Sequence, residues 1–119
     1  MELATTSQNH LLLRALMNAR ALISDPTHWC QKAYARDKND IPTSSLDENA
    51  NSFCAMSAII RASAPNTVTV GSRAIKLLNE EIVRNYKEYE GIIRFNDEHA
   101  HEEVLDVFDT ALDTLYAAA

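Results

Sequence analysis

SLDENANSFCAMSAIIRA, residues 45–62, is the stretch whose reading decides whether this chain is built from helices alone. It opens like a capping box: the Ser45 hydroxyl can accept from the Glu48 N–H while the Glu48 carboxylate reaches back to the Ser45 N–H. That start predicts a helix from Leu46 to about Ala62. Ala50, Phe53, Cys54, Ser57 and Ile60 then share an inward face at i, i+3, i+4 spacing, so Phe53 and Cys54 become core.

The segments on either side read the same way. From Ser7 to Ser24, Leu12, Leu16, Ala19 and Ile23 recur at helical spacing, which predicts the first helix. In SDPTHWC (24–30) Asp25 can cap and Pro26 suits a first helical position, so a short second helix is expected to carry Trp29 and Cys30. The polar run DKNDIPTSS (37–45) crosses an irregular connection, with a short extended piece at AYAR (33–36). APNTVTVG (64–71) breaks the 46–62 helix and leaves a β-branched, extended patch at 67–70. Ser72 caps a helix with Ile75, Leu78, Ile82 and Tyr86 on one face and Glu80, Glu81 and Arg84 facing out. Gly91 turns Ile92, Ile93 and Phe95 back to the core. Asn96 or Asp97 then caps a last helix striped by Ala100, Val104, Phe108, Ala111, Leu112 and Leu115, with Asp106, Asp109 and Asp113 solvated. The expectation is an all-α, compact single domain over residues 1–119. It has four main helices, one short helix and minor extended segments at 33–36 and 67–70, with a flexible start at 1–6 and a frayed end at 117–119. Trp29, Phe53, Cys54 and Phe108 are its core anchors.

Composition limits the function. A chain of 119 residues that is 46% apolar and 24% charged has the mix of one soluble domain. Its net charge is −6, and the basic residues form no stripe, so direct nucleic-acid binding is disfavoured. Apolar runs such as 11–13 fall far short of the ~20 residues that cross a bilayer. MELATTSQNH at the start lacks the basic and apolar character of a signal peptide, which points to the cytoplasm and to thiols for the two cysteines.

Candidate chemistry is sparse. There is no C-x-x-C pair, and His99 and His101 point apart on a helix, so no metal site is expected. Cys30, with His28 two residues away and Lys32 nearby, is the better of two nucleophile candidates, and Asp97 with His101 is the other catalytic pairing. Arg36, Asp37, Asn96 and Asp97 are the candidate binding residues. Arg36 can fork onto a carboxylate or phosphate, and the acids can hold a hydroxyl. We expect their two rims to coincide, with Arg36 paired to Asp97 or Asp37 and the N–H groups of the last helix open to an anion.

Three blocks carry a resemblance. ARALISDPTHWCQKAYARDKNDIP, ANSFCAMSAIIRA, and FND followed by HEEVLDVFDTAL are similar, in order and spacing from Ala19 to Leu112, to a bacterial and phage-associated family, domain of unknown function 6197. Trp29, Cys30, Ala35, Arg36, Asp37, Cys54, Ala58, Asn96, Asp97, His101, Glu103, Val104 and Leu105 match its pattern. Lys32 and Ser57 stand where that pattern has glycine, and Phe53 and Phe95 where it has tryptophan. The stretch between Asp97 and His101 is shorter. The resemblance implies one small helical domain with both aromatic–Cys pairs in a shared core, and it implies no activity. The sequence therefore favours a binding or protein-interaction module without a cofactor, taking a protein or a small polar ligand, over a small Cys- or Asp/His-dependent enzyme. Oligomeric state is not fixed by any of these features.

Overall fold

The computed structural model describes residues 2–88 and 91–118, with residues 2–8 and 118 described by backbone alone. Met1 and Ala119, within the expected loose ends, lie outside the described residues, as do Tyr89 and Glu90 ahead of the Gly91 turn. The helices are α1 (Glu2–Leu22), α2 (Ala55–Ser63), α3 (Ser72–Asn85), α4 (Ile92–Glu98) and α5 (His101–Ala118). Between α1 and α2 lie three short strands, β1 (Ala35–Asp37), β2 (Pro42–Thr43) and β3 (Ala50–Phe53), in the antiparallel order β2-β1-β3. The fold is therefore not all-α.

The periodic stripes behave as their spacing dictates. Leu12, Leu16, Ala19 and Ile23 of α1 and its C-terminal flank, Ala74, Leu78 and Ile82 of α3, and Val104, Phe108, Ala111 and Leu115 of α5 are buried in one cluster. Each large side chain so removed from water contributes about 1.5–3 kcal/mol. A bidentate pair, Arg20 Nε to Asp109 Oδ1 at 2.5 Å and Nη2 to Oδ2 at 3.2 Å, ties α1 to α5 across their outer edge. Among the described residues no helix is long and apolar enough to cross a membrane.

The expected helix over 46–62 is the main correction. Its first half is loop and strand, and α2 begins only at Ala55, capped by the Cys54 sulfur, which accepts from the Ser57 N–H at 3.4 Å. The capping box loses to tertiary partners. Asp47 turns its carboxylate onto the Asn49 N–H (2.8 Å) and the Thr43 hydroxyl, and Arg61 Nη1 reaches back from α2 to the carbonyls of Ser45 (3.1 Å) and Asp47 (2.6 Å). Ser45 itself bonds the Ser57 hydroxyl at 2.7 Å. With the loop so anchored, 50–53 lies beside β1, placing Ala35 opposite both Phe53 and Thr43.

Four smaller differences have local causes. The 67–70 segment is not extended. Thr67–Gly71 forms a π-helical turn that runs directly into α3, and a Cβ on Gly71 would lie 2.5 Å from Ser63 Oγ, so a side chain there would displace the hydroxyl that donates to the Ile59 carbonyl. Pro26–His28 is a single 3-10 turn that begins as expected, Asp25 accepting from the Thr27 N–H at 2.9 Å, but it ends before Trp29, which is extended, and Cys30, which lies in no helix. Glu81 does not face out. It is buried and accepts from Arg84 Nη1 (2.8 Å), Thr114 Oγ1 (3.1 Å) and Asn85 Nδ2 (3.4 Å). Asn96 and Asp97 do not cap the last helix either. They sit inside α4, and α5 is closed at its start by its own Glu103, whose Oε1 accepts from the Ala100 N–H at 3.1 Å.

Candidate functional site

The strands, α4 and the segment 29–34 between them meet at a corner whose centre is Asn96. This side chain is fully buried and uses both ends. Oδ1 accepts from Trp29 Nε1 (2.7 Å) and the Ala55 N–H (3.0 Å), while Nδ2 donates to the Cys30 carbonyl (3.0 Å) and Asp97 Oδ1 (3.4 Å). One amide thus joins α4, the start of α2 and the chain after the 3-10 turn. Gln31 adds a second tie, its Nε2 donating to the carbonyls of Asn96 and His99, both at 3.0 Å.

Asp97 makes the third tie. Its Oδ1 accepts from the backbone N–H of Lys32 at 2.7 Å. Lys32 has φ 64, the left-handed region that disfavours a side chain. This is the position where the resembled pattern has glycine. Ser57, the other such position, is fully buried between Cys54 and Ser45, where a larger side chain has no room.

The remaining candidates divide. Arg36 pairs with neither Asp97 nor Asp37. Its Nη2 donates to the Gln31 carbonyl (3.3 Å) and its Nη1 to the Asp40 carbonyl (3.1 Å), with Asp40 Oδ1 at 3.8 Å from Nε. Asp37 is a turn former, its Oδ1 accepting from the N–H groups of Asn39 (2.8 Å) and Ile41 (3.1 Å) between β1 and β2. The rims of Arg36 and Asp97 do adjoin, one holding Gln31 and the other Lys32, but they share no bond.

Both thiols are buried. Burial pushes Cys30 up from its ordinary pKa, with Ser52 and Arg36 opposing it and Asp40 and Asp97 adding to it. Burial pushes Cys54 up to about 11, with the Ser57 N–H opposing and the charges of Cys30 and Asp97 adding. Neither His101 nor His28 is hydrogen-bonded to a thiol. His101 Nε2 lies 2.6 Å from the Ile23 carbonyl, which can only accept, so that nitrogen carries the proton, and the ring packs on Trp29 at 5.2 Å. His28 is likewise engaged through Nδ1 with the Asn51 carbonyl at 2.7 Å. Cys30, Asp97 and His101 therefore surround the corner without forming a nucleophile–base pair. Among the described residues no group of three or more His, Cys, Asp or Glu side chains is placed to hold a metal ion. Phe53 and Phe108 are buried, whereas Trp29 is half-buried, packing on the core while its indole N–H meets Asn96.

Beside this corner opens a cleft of about 520 Å³. Tyr34, Pro42 and Ile93 form its apolar walls, Cys54 lies among its lining, and Asp97, Lys32 and Thr43 are its polar members. Periodicity could not reveal it, because Tyr34, Pro42 and Ile93 come from three segments that meet only in the fold. No curated protein and no solved structure matches the chain. Residues 8–114 match the family model DUF6197, described as a family of unknown function, and the chain belongs to that family.

Proposed function

We propose that this protein is a small-ligand binding module whose site is the cleft between the strands and α4. The observation that carries the reading is the cleft itself. Its volume of about 520 Å³ falls within the usual range for small-molecule pockets, and it joins apolar walls to a few polar groups, as such pockets do. Tyr34 and Ile93 remain 54% and 48% exposed there, a cost in water that an apolar ligand would relieve.

Two observations weigh against thiol chemistry at the same place. The sulfur of Cys54 serves as a helix cap, and both thiols are held protonated by burial, whereas a nucleophile needs the thiolate. The net charge of −6 weighs against a nucleic-acid ligand. Titrating the full chain with 2-phenylethanol, followed by amide and methyl resonances, tests the site. Shifts are expected at Tyr34, Thr43, Ile93 and Asp97 and are abolished by Ile93→Arg. Shifts confined to other surfaces, or none at millimolar probe, would overturn the proposal.

A further inference from the structure

We infer that the ligand of this cleft carries an ammonium group on a compact apolar body, with Asp97 as its acceptor; the inference rests on the cleft being the binding site. Asp97 is half-buried, and its carboxylate is oriented before any ligand arrives, because Oδ1 is fixed by the Lys32 N–H and Asn96 Nδ2. Among the described residues no cation forms an ion pair with it. The nearby guanidinium groups are occupied, Arg36 with Asp40 and Arg94 with Glu98. A fixed, partly desolvated carboxylate without a counter-charge is an acceptor for a charged donor, and such hydrogen bonds are among the strong ones.

The walls select further. Tyr34 offers an aromatic face at the same cleft, and a ligand cation over it gains a second attraction. Among the described residues Lys32 is the one cation in the lining, and it argues for the opposite ligand, an anion. It is the weaker determinant. Its side chain is exposed and forms no ion pair among the described residues, so its charge rests on a flexible stem in water, whereas Asp97 is held. The whole-chain charge of −6 also draws cations in.

The test compares three probes that share a phenylethyl body on the labelled full chain: 2-phenylethylamine, its isostere 2-phenylethanol, and 3-phenylpropionate. The amine should bind at least tenfold more tightly than the alcohol, and the carboxylate should bind most weakly. Asp97→Asn keeps an oxygen for the Lys32 N–H, and should leave the thermal midpoint near that of the parent while levelling amine and alcohol. Lys32→Gly, which suits the left-handed backbone and removes the competing cation, should tighten the amine. Nα-acetyl-lysine methylamide, run alongside, separates a lysine side chain from a free amine as the source of the ammonium group. An alcohol as tight as the amine, or an amine preference that survives Asp97→Asn, would overturn the inference while the alcohol's shifts at Tyr34 and Ile93 still support the cleft. Absence of cleft shifts with every probe would overturn both.

Discussion

The helical side of the molecule and its strand corner are held together by different physics. α1, α3 and α5 meet through apolar stripes, where many small contacts sum and no single one specifies the arrangement. At the corner, Trp29, Cys30, Lys32 and Ala55 are located by bonds to two adjacent side chains, Asn96 and Asp97. Stripes tolerate exchange of one apolar residue for another of similar volume, whereas a satisfied buried amide tolerates almost nothing. A binding site that needs atoms fixed in place is better built on the second kind of support.

That contrast can be broken most decisively by one substitution on each side. Phe108→Ala should cost about 3–5 kcal/mol through the cavity it leaves, and urea unfolding should show the loss spread over the whole domain. Asn96→Ala should cost about 3 kcal/mol, because the Trp29 indole, the Ala55 N–H and the Cys30 carbonyl each lose a buried partner at about 1–3 kcal/mol apiece before relaxation. Hydrogen exchange should then accelerate at 30–37 and 50–55 and not along α1 or α5. Equal acceleration everywhere would erase the distinction between the two sides.

A pH series sharpens it. The thiol of Cys54 titrates at about 11 in the folded chain, against an ordinary value of 9.0, so above pH 9 the unfolded chain binds fewer protons than the folded one. Stability that is complete below pH 9 should therefore fall towards pH 11, by at most about 1.4 kcal/mol per pH unit from this group. Cys54→Ser retains an acceptor for the Ser57 N–H and has no thiol to ionise. The urea midpoint of the parent should fall relative to that of the variant between pH 9 and 11, and a constant difference would mean that the thiol is not buried as described. The smallest effect belongs to Lys32→Gly. Relief of a left-handed side chain, less the flexibility glycine adds to the unfolded chain, should raise stability by about 0.5–1 kcal/mol. Destabilisation would show that the Asp97 bond does not hold that backbone in place.

The same division separates what could be read in the sequence from what could not. The stripes of α1, α3 and α5 are periodic, and periodicity is a local property, so those helices are legible from spacing alone. The strands are two to four residues long and pair with partners made adjacent by Asp37, Asp47 and Arg61, none of which announces its partner. SLDE satisfies a helix-start pattern that the fold does not use, and Cys54, which does start α2, is not among the residue types that usually cap. Asn96 and Asp97 were legible as important but not as what they are. Next to a turn an Asn-Asp pair reads as a cap, and only the surroundings of Trp29 and Lys32 make it a brace. Glu81 was misread for a similar reason, since its three donors include Thr114, which lies 33 residues away.

The chain has one tryptophan, and its indole N–H ends on Asn96. That makes Trp29 an intrinsic gauge of the corner alone. Its emission and its single indole proton resonance report whether this bond is closed, while far-ultraviolet dichroism reports the helices. Melts followed by the two observables should coincide if the brace and the apolar stripes form one cooperative unit. If the emission changes first, the interval between the two midpoints measures how independently the binding corner can open, without a label and in the unmodified protein.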